Sequence, residues 1–344
     1  MTSIQLDHVT VVRNKAELIT DISLTSGSGE FLALIGPSGS GKTTLLRAIA
    51  GLDEVQRGDV LYDGVPVNDL TPSQRDIAMV FQDNALIPFR NVRKNVAFPL
   101  EMHRVKKPEI DDRVMAESRA MALDRFLTRM PRELGAGHQQ LVQAARALVR
   151  RPDALLLDEP LARVDPIRRD SMRREIKMLA DGYGVTTVYA TNDPAEAMAL
   201  GDRIAMIDGG KLRQVGTPDD LYQRPLDTVV AGFIGLPSMA FMDGELSDRQ
   251  VRVSAGSLVV DKQGRTGKVI VGVRPHEWEV VETAGLVGTV MSVEELGDRA
   301  YVTVDLAGDQ VTVQVDDLGP KQGETIQLWA RHPHLFTTSG HALR

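Results

Sequence analysis

The chain has 344 residues, of which 42% are hydrophobic and 25% charged, a composition typical of a globular protein with room for two domains. Its net charge of −7 disfavours a protein that coats nucleic acid, and the lack of cysteine excludes disulfides and thiolate metal sites. The sequence has no apolar run long enough to span a bilayer and no secretory pattern at its start, so we expect a cytoplasmic location.

The first part of the chain alternates predicted strands and helices. Short apolar or β-branched runs predict strands at 4–12, 18–24, 31–35, 77–81, 154–157 and 185–190. Apolar residues at helical spacing predict helices at 44–50, 167–179 and 194–200. Turns are predicted at Asp63-Gly64 and at Asp208-Gly209-Gly210. We therefore expect an α/β domain over residues 1–235, with a helical, charged subdomain at about 84–151.

The chain changes character near Pro237. From residue 236 to residue 344 it shows short alternating strands separated by glycine-containing and acidic turns. This pattern predicts a small all-β module with a barrel-like fold.

One stretch fits the phosphate-binding pattern G-x-x-x-x-G-K-[ST]: Gly36, Pro37, Ser38, Gly39, Ser40, Gly41, Lys42, Thr43 and Thr44. It lies between a predicted buried strand and a predicted helix, the arrangement that directs backbone N–H groups and a helix N-terminus at phosphate. We expect Lys42 to reach the β- and γ-phosphates of ATP and the Thr43 hydroxyl to ligate Mg²⁺. The alternative, a glycine-rich turn that fits the pattern by chance, is disfavoured by the flanking strand and helix.

Acidic residues follow a later predicted strand. Asp158 is suited to hold Mg²⁺, and Glu159 is suited to orient or deprotonate the attacking water. Gln82, also at a strand end, is a candidate to contact both the metal and the water. A simple turn at Asp158-Glu159-Pro160 is the alternative, and the phosphate loop upstream favours the catalytic interpretation.

Together these motifs resemble the ATP-binding cassette ATPases, specifically the ATP-hydrolysing subunits of bacterial importers of the maltose and glycerol-phosphate type. Residues 80–82 resemble the Q-loop strand, 155–160 the Walker B motif and 196–198 the helix after the switch histidine. The resemblance extends to the C-terminal module through residues 231–235, 273–275 and 334–336. It implies a P-loop NTPase domain followed by an OB/TOBE-like regulatory domain.

The resemblance also implies partners. Family members form a head-to-tail dimer, in which each ATP lies between the phosphate loop of one subunit and a signature loop, Leu-Ser-Gly-Gly-Gln, of the other. The Gln82 region and the helical segment would dock on transmembrane permease subunits at the cytoplasmic face of the membrane. An external solute-binding protein would act indirectly, and no nucleic-acid partner is expected.

The signature and switch motifs depart from the family pattern. Gly135 replaces the signature serine, and Ala136 and His138 replace a glycine and the glutamine, while Gly137 is kept. Asn192 stands in place of the switch histidine; it is able to donate a hydrogen bond to phosphate but unable to carry a charge.

Two further positions that the family places at the nucleotide bear on the site. Asp165 is kept in the loop after Walker B, although Ala162 replaces the usual serine and Arg163 is introduced. Arg13 falls near the position of an aromatic residue that stacks on adenine, and a guanidinium plane is also able to stack.

These departures lead to a functional hypothesis with alternatives. The sequence favours an importer ATPase subunit that is the degenerate member of a heterodimeric pair. A homodimer with slow hydrolysis and a regulatory subunit that binds ATP without hydrolysing it are the closest alternatives. A kinase or nucleic-acid-associated ATPase is disfavoured by the acidic charge and by the C-terminal markers.

Overall fold

The computed structural model describes residues 2–82, 86–260, 266–297, 299–316 and 319–343. The chain divides into two compact units, Met1–Pro218 and Asp219–Arg344. The boundary that we predicted at 235/236 lies later in the chain. The difference has a physical reason, because the segment before 235 bonds to the end of the second unit: the Thr228 amide donates to the Gly340 carbonyl at 2.8 Å.

The first unit has the predicted α/β organisation. Its strands are β1 (Ile4–Arg13), β2 (Ala16–Ser26), β3 (Phe31–Ile35), β4 (Arg57–Tyr62), β5 (Val65–Pro66), β6 (Ile77–Val80), β7 (Ala154–Asp158), β8 (Thr186–Thr191), β9 (Arg203–Asp208) and β10 (Lys211–Gly216). Its helices are α1 (Lys42–Ile49), α2 (Val92–Met102), α3 (Lys107–Ala120), α4 (Ala136–Leu148), α5 (Pro166–Tyr183) and α6 (Pro194–Leu200). Helices α2, α3 and α4 form the predicted helical segment, while Asn84 and Ala85, at its expected start, lie outside the described residues.

A mostly parallel sheet forms the centre of this unit. Within the described ranges its strand order is β10-β9-β3-β8-β7-β6, with β9 and β10 antiparallel and the other neighbours parallel. Strands β3 and β7 are buried at every position, because both faces of the sheet are covered. One face packs on α1 and on the antiparallel sheet of β1 and β2, and the other packs on α4 and α5. Helix α5 contributes Met172 and Ile176 to the core.

The register of the parallel strands aligns three strand ends. Ile35 of β3 pairs with Thr191 of β8, and Asp158 of β7 pairs with Ala190 of β8. Gly36, Glu159 and Asn192 each follow one of these strands directly. The sheet therefore brings these residues to the same carboxyl edge, where open α/β sheets bind their ligands.

The second unit is rich in strands, as predicted. It begins with α7 (Pro218–Gln223) and α8 (Thr228–Phe233) and continues with β11 (Ala240–Ser247), β12 (Gln250–Val253), β13 (Gly256–Val259), β14 (Thr266–Val273), β15 (Trp278–Val281), β16 (Leu286–Glu295), β17 (Ala300–Leu306), β18 (Asp309–Val315), β19 (Thr325–Ala330) and β20 (His334–Thr337). The described strands form two antiparallel sheets, β13-β12-β11-β14-β20 and β15-β19-β16-β17-β18, that share one apolar core. Arg274 is buried and donates to the backbone carbonyls of Tyr222 and Ile234, which ties the helices to the strands within this unit.

Candidate nucleotide-binding site

The phosphate loop connects β3 to α1. Lys42, the first residue of the helix, is buried, and its ammonium donates to the carbonyls of Gly36 at 2.8 Å and Pro37 at 3.0 Å. Burial lowers the pKa of Lys42, while the nearby carboxylates of Glu159 and Asp158 raise it. The loop thus wraps around a cation that is held at the start of a helix, where an anion is also favoured by the helix dipole.

The backbone of the phosphate loop is closely supported by its surroundings. A Cβ added to Gly36 would lie 1.9 Å from the Ile207 carbonyl oxygen, and one added to Gly41 would lie 2.6 Å from Cδ1 of Ile19. Gly39 has a φ of +79°, and an added Cβ there would meet nothing within 4 Å. One side of the loop is therefore held by the Ile207 backbone and the Ile19 side chain, while the side at Gly39 is open to a ligand.

The Walker B strand places its two acids differently. Asp158 is buried, and its Oδ1 accepts a hydrogen bond from the Thr43 hydroxyl at 2.9 Å. Burial raises the pKa of Asp158, and the Thr43 hydrogen bond opposes that shift. A hydroxyl and a carboxylate in contact are oxygen donors of the kind that Mg²⁺ prefers, so the residues present fit the metal predicted here.

Glu159 faces the same cavity from the next position. Its Oε2 accepts a hydrogen bond from the Gln82 side-chain amide at 2.9 Å. Its backbone φ of 43° lies in the left-handed region, which costs a non-glycine residue on the order of 1–2 kcal/mol. Its amide donates to the Ala190 carbonyl at 2.9 Å, which holds this backbone in place. The structure therefore maintains a strained conformation that directs Glu159 toward Gln82 and the phosphate loop.

A cavity of about 380 Å³ collects half of the predicted nucleotide-binding residues together with the predicted catalytic Glu159. It is lined by Leu18, Ser38, Gly39, Gly41, Lys42, Thr43, Thr44, Gln82 and Glu159. Gly36 and Asp158 contact two of these lining residues: Lys42 donates to the Gly36 carbonyl, and the Thr43 hydroxyl donates to Asp158. This convergence of a buried cation, phosphate-loop backbone and an oriented carboxylate suits the binding and hydrolysis of a nucleoside triphosphate.

The remaining predicted residues lie outside this set of lining residues. Asn192 is exposed at the end of β8, and Arg13 is exposed at the end of β1. Asp165 caps α5, since its Oδ1 accepts from the Ile167 amide at 2.9 Å. The predicted roles of these residues toward nucleotide stay predictions.

The signature region forms the entrance to α4. Gly135 is the N-cap residue in extended backbone and supplies no side-chain cap. A Cβ added to Gly135 would meet nothing within 4 Å, whereas one added to Gly137 would lie 3.2 Å from the Met172 sulfur. The His138 ring packs 4.4 Å from the Phe126 ring, and burial lowers its pKa. A lowered pKa favours the neutral imidazole at pH 7.

Several residues that support the site were not identified from the sequence. The Gly210 amide donates to the Ser40 carbonyl at 3.0 Å, and its carbonyl accepts from the Thr20 amide at 2.9 Å. The glycine pair was recognised as a turn, but its contact with the phosphate loop depends on the pairing of distant strands. Leu18 lines the cavity for the same reason, because β2 runs beside β10 and the phosphate loop.

Among the described residues, no helix has both the length and the apolar character that crossing a bilayer requires.

The sequence matches known families over most of both units. Residues 19–162 match the family described as ABC transporter, and residues 271–337 match the TOBE domain. The chain is 40% identical to the trehalose import ATP-binding protein SugC of Mycobacterium tuberculosis over 94% of this chain and 88% of that protein. It is 39% identical to the sn-glycerol-3-phosphate import ATP-binding protein UgpC of Ruegeria pomeroyi over 98% and 97% of the two chains.

A further relative and a solved structure agree with these matches. The chain is 39% identical to the trehalose/maltose import ATP-binding protein MalK of Thermococcus litoralis over 92% of this chain and 85% of that protein. An ATP-binding cassette solved as a dimer in a post-hydrolysis state with ADP and Pi superposes with a TM-score of 0.56 at 29% identity. That superposition covers 62% of this chain and 98% of the other.

Proposed function

The chain belongs to the ATP-binding cassette family of ABC transporter ATPases, and from that premise we propose that it powers an importer for a sugar, polyol or glycerol-phosphate compound. Relatives named for the import of trehalose, maltose and glycerol-3-phosphate support this solute class. The observation that carries the proposal of hydrolysis is the Gln82–Glu159 hydrogen bond beside Lys42. A subunit that only held ATP would have no need of a carboxylate oriented in this way.

The residues of the cavity have distinct parts in the reaction. The phosphate-loop amides and Lys42 bind the triphosphate and offset its charge. Glu159 accepts the proton of the attacking water, and Gln82 holds the Glu159 carboxylate in the orientation that this requires. Thr43 and Asp158 would hold Mg²⁺, which supplies neutralising charge to the phosphates when it is bound.

The signature and switch positions support an asymmetric assembly. In a homodimer each ATP would face Gly135 instead of serine and Asn192 instead of histidine. Losing the serine hydrogen bond to a charged group costs about 1.5–3 kcal/mol, and Asn192, which donates without carrying a charge, is a weaker transition-state donor than a protonated histidine. With an unlike subunit that carries both groups, each site would lack one of the two. We therefore propose a heterodimer in which this chain is the degenerate member.

The permease would dock near the segment that follows Gln82. Phe89 in this segment is 79% exposed, although Arg90 beside it is engaged with Glu101 and with the Phe98 ring. An exposed aromatic ring in the segment that follows Gln82 is suited to contact a partner that responds to ATP. In this proposal the subunit works at the cytoplasmic face of the membrane, and the external solute-binding protein acts through the permease.

Steady-state ATPase activity tests the proposal. The rate would be measured for the chain alone and with the unlike ATPase subunit that co-purifies with it, each beside a Glu159→Gln control. We expect a near-zero rate alone and a Glu159-dependent rate in the mixed assembly. Fast, Glu159-dependent turnover by the chain alone would reject the heterodimer in favour of an active homodimer. ATP binding with no Glu159-dependent turnover in either assembly would reject the ATPase role and favour a regulatory subunit.

A further inference from the structure

A buried carboxylate lies beneath the loop that carries Asn192. Glu196 in α6 is 4% exposed, and its Oε2 accepts two hydrogen bonds. One comes from the Tyr189 hydroxyl at 2.8 Å and the other from the Thr191 hydroxyl at 2.7 Å. Both donors belong to β8, the strand that ends immediately before Asn192.

The chemistry of these groups fixes the direction of each hydrogen bond. An ionised carboxylate only accepts, so both hydroxyls donate to Glu196. The Thr191 oxygen keeps a lone pair free, and it accepts from the Asp193 amide at 3.0 Å. The Asp193 carboxylate in turn accepts from the Ala195 amide at 2.8 Å and caps α6. A continuous set of hydrogen bonds therefore runs from β8 to α6 on both sides of Asn192.

The charged groups around Glu196 belong to neighbouring elements. Burial raises its pKa most; the two hydroxyls and Arg169 of α5 lower it, and Asp193 raises it. Arg169 lies 3.8 Å from the Asp193 carboxylate and donates to the Val164 carbonyl at 3.4 Å. The loop at Asn192 is thus held from β8, from α6 and from the segment that precedes α5.

We propose that Thr191 and Glu196 are positioning residues, which fix the peptide of Asn192 so that its side chain is presented to the γ-phosphate. This inference rests on the proposed ATPase function, but it concerns residues outside the cavity lining. A shift of about 1 Å in a reacting group costs on the order of 10²-fold in rate. The network should therefore contribute to kcat, while ATP binding depends on the phosphate loop.

Substitutions of Thr191 test this inference in the assembly that turns over ATP. Thr191→Val keeps the shape of the side chain and removes the hydroxyl that joins Glu196 to Asp193. We expect kcat to fall by about 10- to 100-fold with KM for ATP unchanged within about twofold. Thr191→Ser restores the hydroxyl, and we expect it to restore kcat.

Thr187→Val provides a matched control. Thr187 is equally buried in β8, but its hydroxyl donates to the Val185 carbonyl and not to the Asn192 loop. We expect this variant to unfold at a temperature similar to that of Thr191→Val and to retain wild-type kcat. Equal losses of kcat in both valine variants would show a general effect on the strand and overturn the inference.

A double mutant tests whether Thr191 affects kcat through Asn192 or through another residue. If Thr191 acts through Asn192, Thr191→Val should lower kcat no further in an Asn192→Ala background. A full additional loss would mean that Thr191 acts elsewhere, for example through Glu159, and would overturn the inference. A wild-type kcat for Asn192→Ala would also overturn the inference. The proposed ATPase function would still hold in that case, provided that the ATPase rate is lost in Glu159→Gln. Loss of the Glu159 dependence itself would instead reject the proposed function.

Discussion

Two glycine-containing loops that each lead into a helix differ in how far their surroundings constrain them. At the phosphate loop, a Cβ on Gly36 or Gly41 would collide with Ile207 or Ile19. At the signature region, a Cβ on Gly135 would meet nothing within 4 Å, and the backbone there is in ordinary extended conformation. The glycines of the phosphate loop are required by this chain's own packing. The glycine at 135 is not, so any requirement there has to come from what the loop faces in an assembly.

Substitution of Gly36 is the strongest test of the difference between the two loops. Gly36→Ala places its methyl group 1.9 Å from the Ile207 carbonyl oxygen, at a φ of +156° that is unfavourable for alanine. We expect the unfolding free energy to fall by on the order of 3 kcal/mol and ATP binding to be lost. Chemical denaturation and binding of a fluorescent ATP analogue measure the two effects.

Gly135→Ala is the matched control for that substitution. It adds the same methyl group to the loop that has open space, so ATP binding to the isolated chain should be unchanged. Equal loss of binding in both variants would show that the two loops are constrained alike.

Restoring the family residues at the partner-facing positions tests the second loop. The triple variant Gly135→Ser, Ala136→Gly, Asn192→His supplies the signature serine and the switch histidine together. We expect the ATPase rate of the chain alone to rise by at least about 10²-fold, because the serine contact returns and the neutral donor Asn192 is replaced by a side chain that is able to carry a charge. The same variant with Glu159→Gln should stay inactive. An unchanged rate in the triple variant would mean that these positions do not limit hydrolysis.

The pH dependence of activity examines Asp158. Because its pKa is raised by burial, Asp158 takes up a proton at a higher pH than an exposed aspartate as the solution is acidified. We expect kcat/KM for ATP to fall on the acid side as this proton binds. Raising Mg²⁺ from about 1 mM to about 10 mM at constant ionic strength should move the acid limb lower by up to about one pH unit, since metal and proton compete. If the acid limb of the pH profile does not move when the Mg²⁺ concentration is raised, the group that titrates is not Asp158.

The sequence predicted the parts of the site that follow from short-range patterns. The phosphate loop, the acids after β7 and the alternation of strands and helices are local, and the structure brings Lys42, Gln82 and Glu159 to one cavity as expected. The Gly210 and Ile207 contacts with the phosphate loop were not predictable, because they depend on which strands become neighbours. The hydrogen bonds of Glu196 were missed for a similar reason, since burial of a helix glutamate depends on the packing of α6 against the sheet.

The smallest expected effect concerns the stability of α4. Gly135 is the N-cap of this helix and supplies no side-chain acceptor, so a serine there would satisfy one of the free amides of the first turn. We expect Gly135→Ser to raise the unfolding free energy by a few tenths of a kcal/mol and Gly135→Ala to lower it by less than about 1 kcal/mol. Urea denaturation of the two variants and the wild type ranks their free energies of unfolding. If serine proves destabilising, contacts within the chain constrain the loop, and the fold of this chain itself explains why residue 135 is glycine. If serine stabilises, this chain carries glycine at a position where its own fold favours serine, and the cause lies in the ATPase assembly.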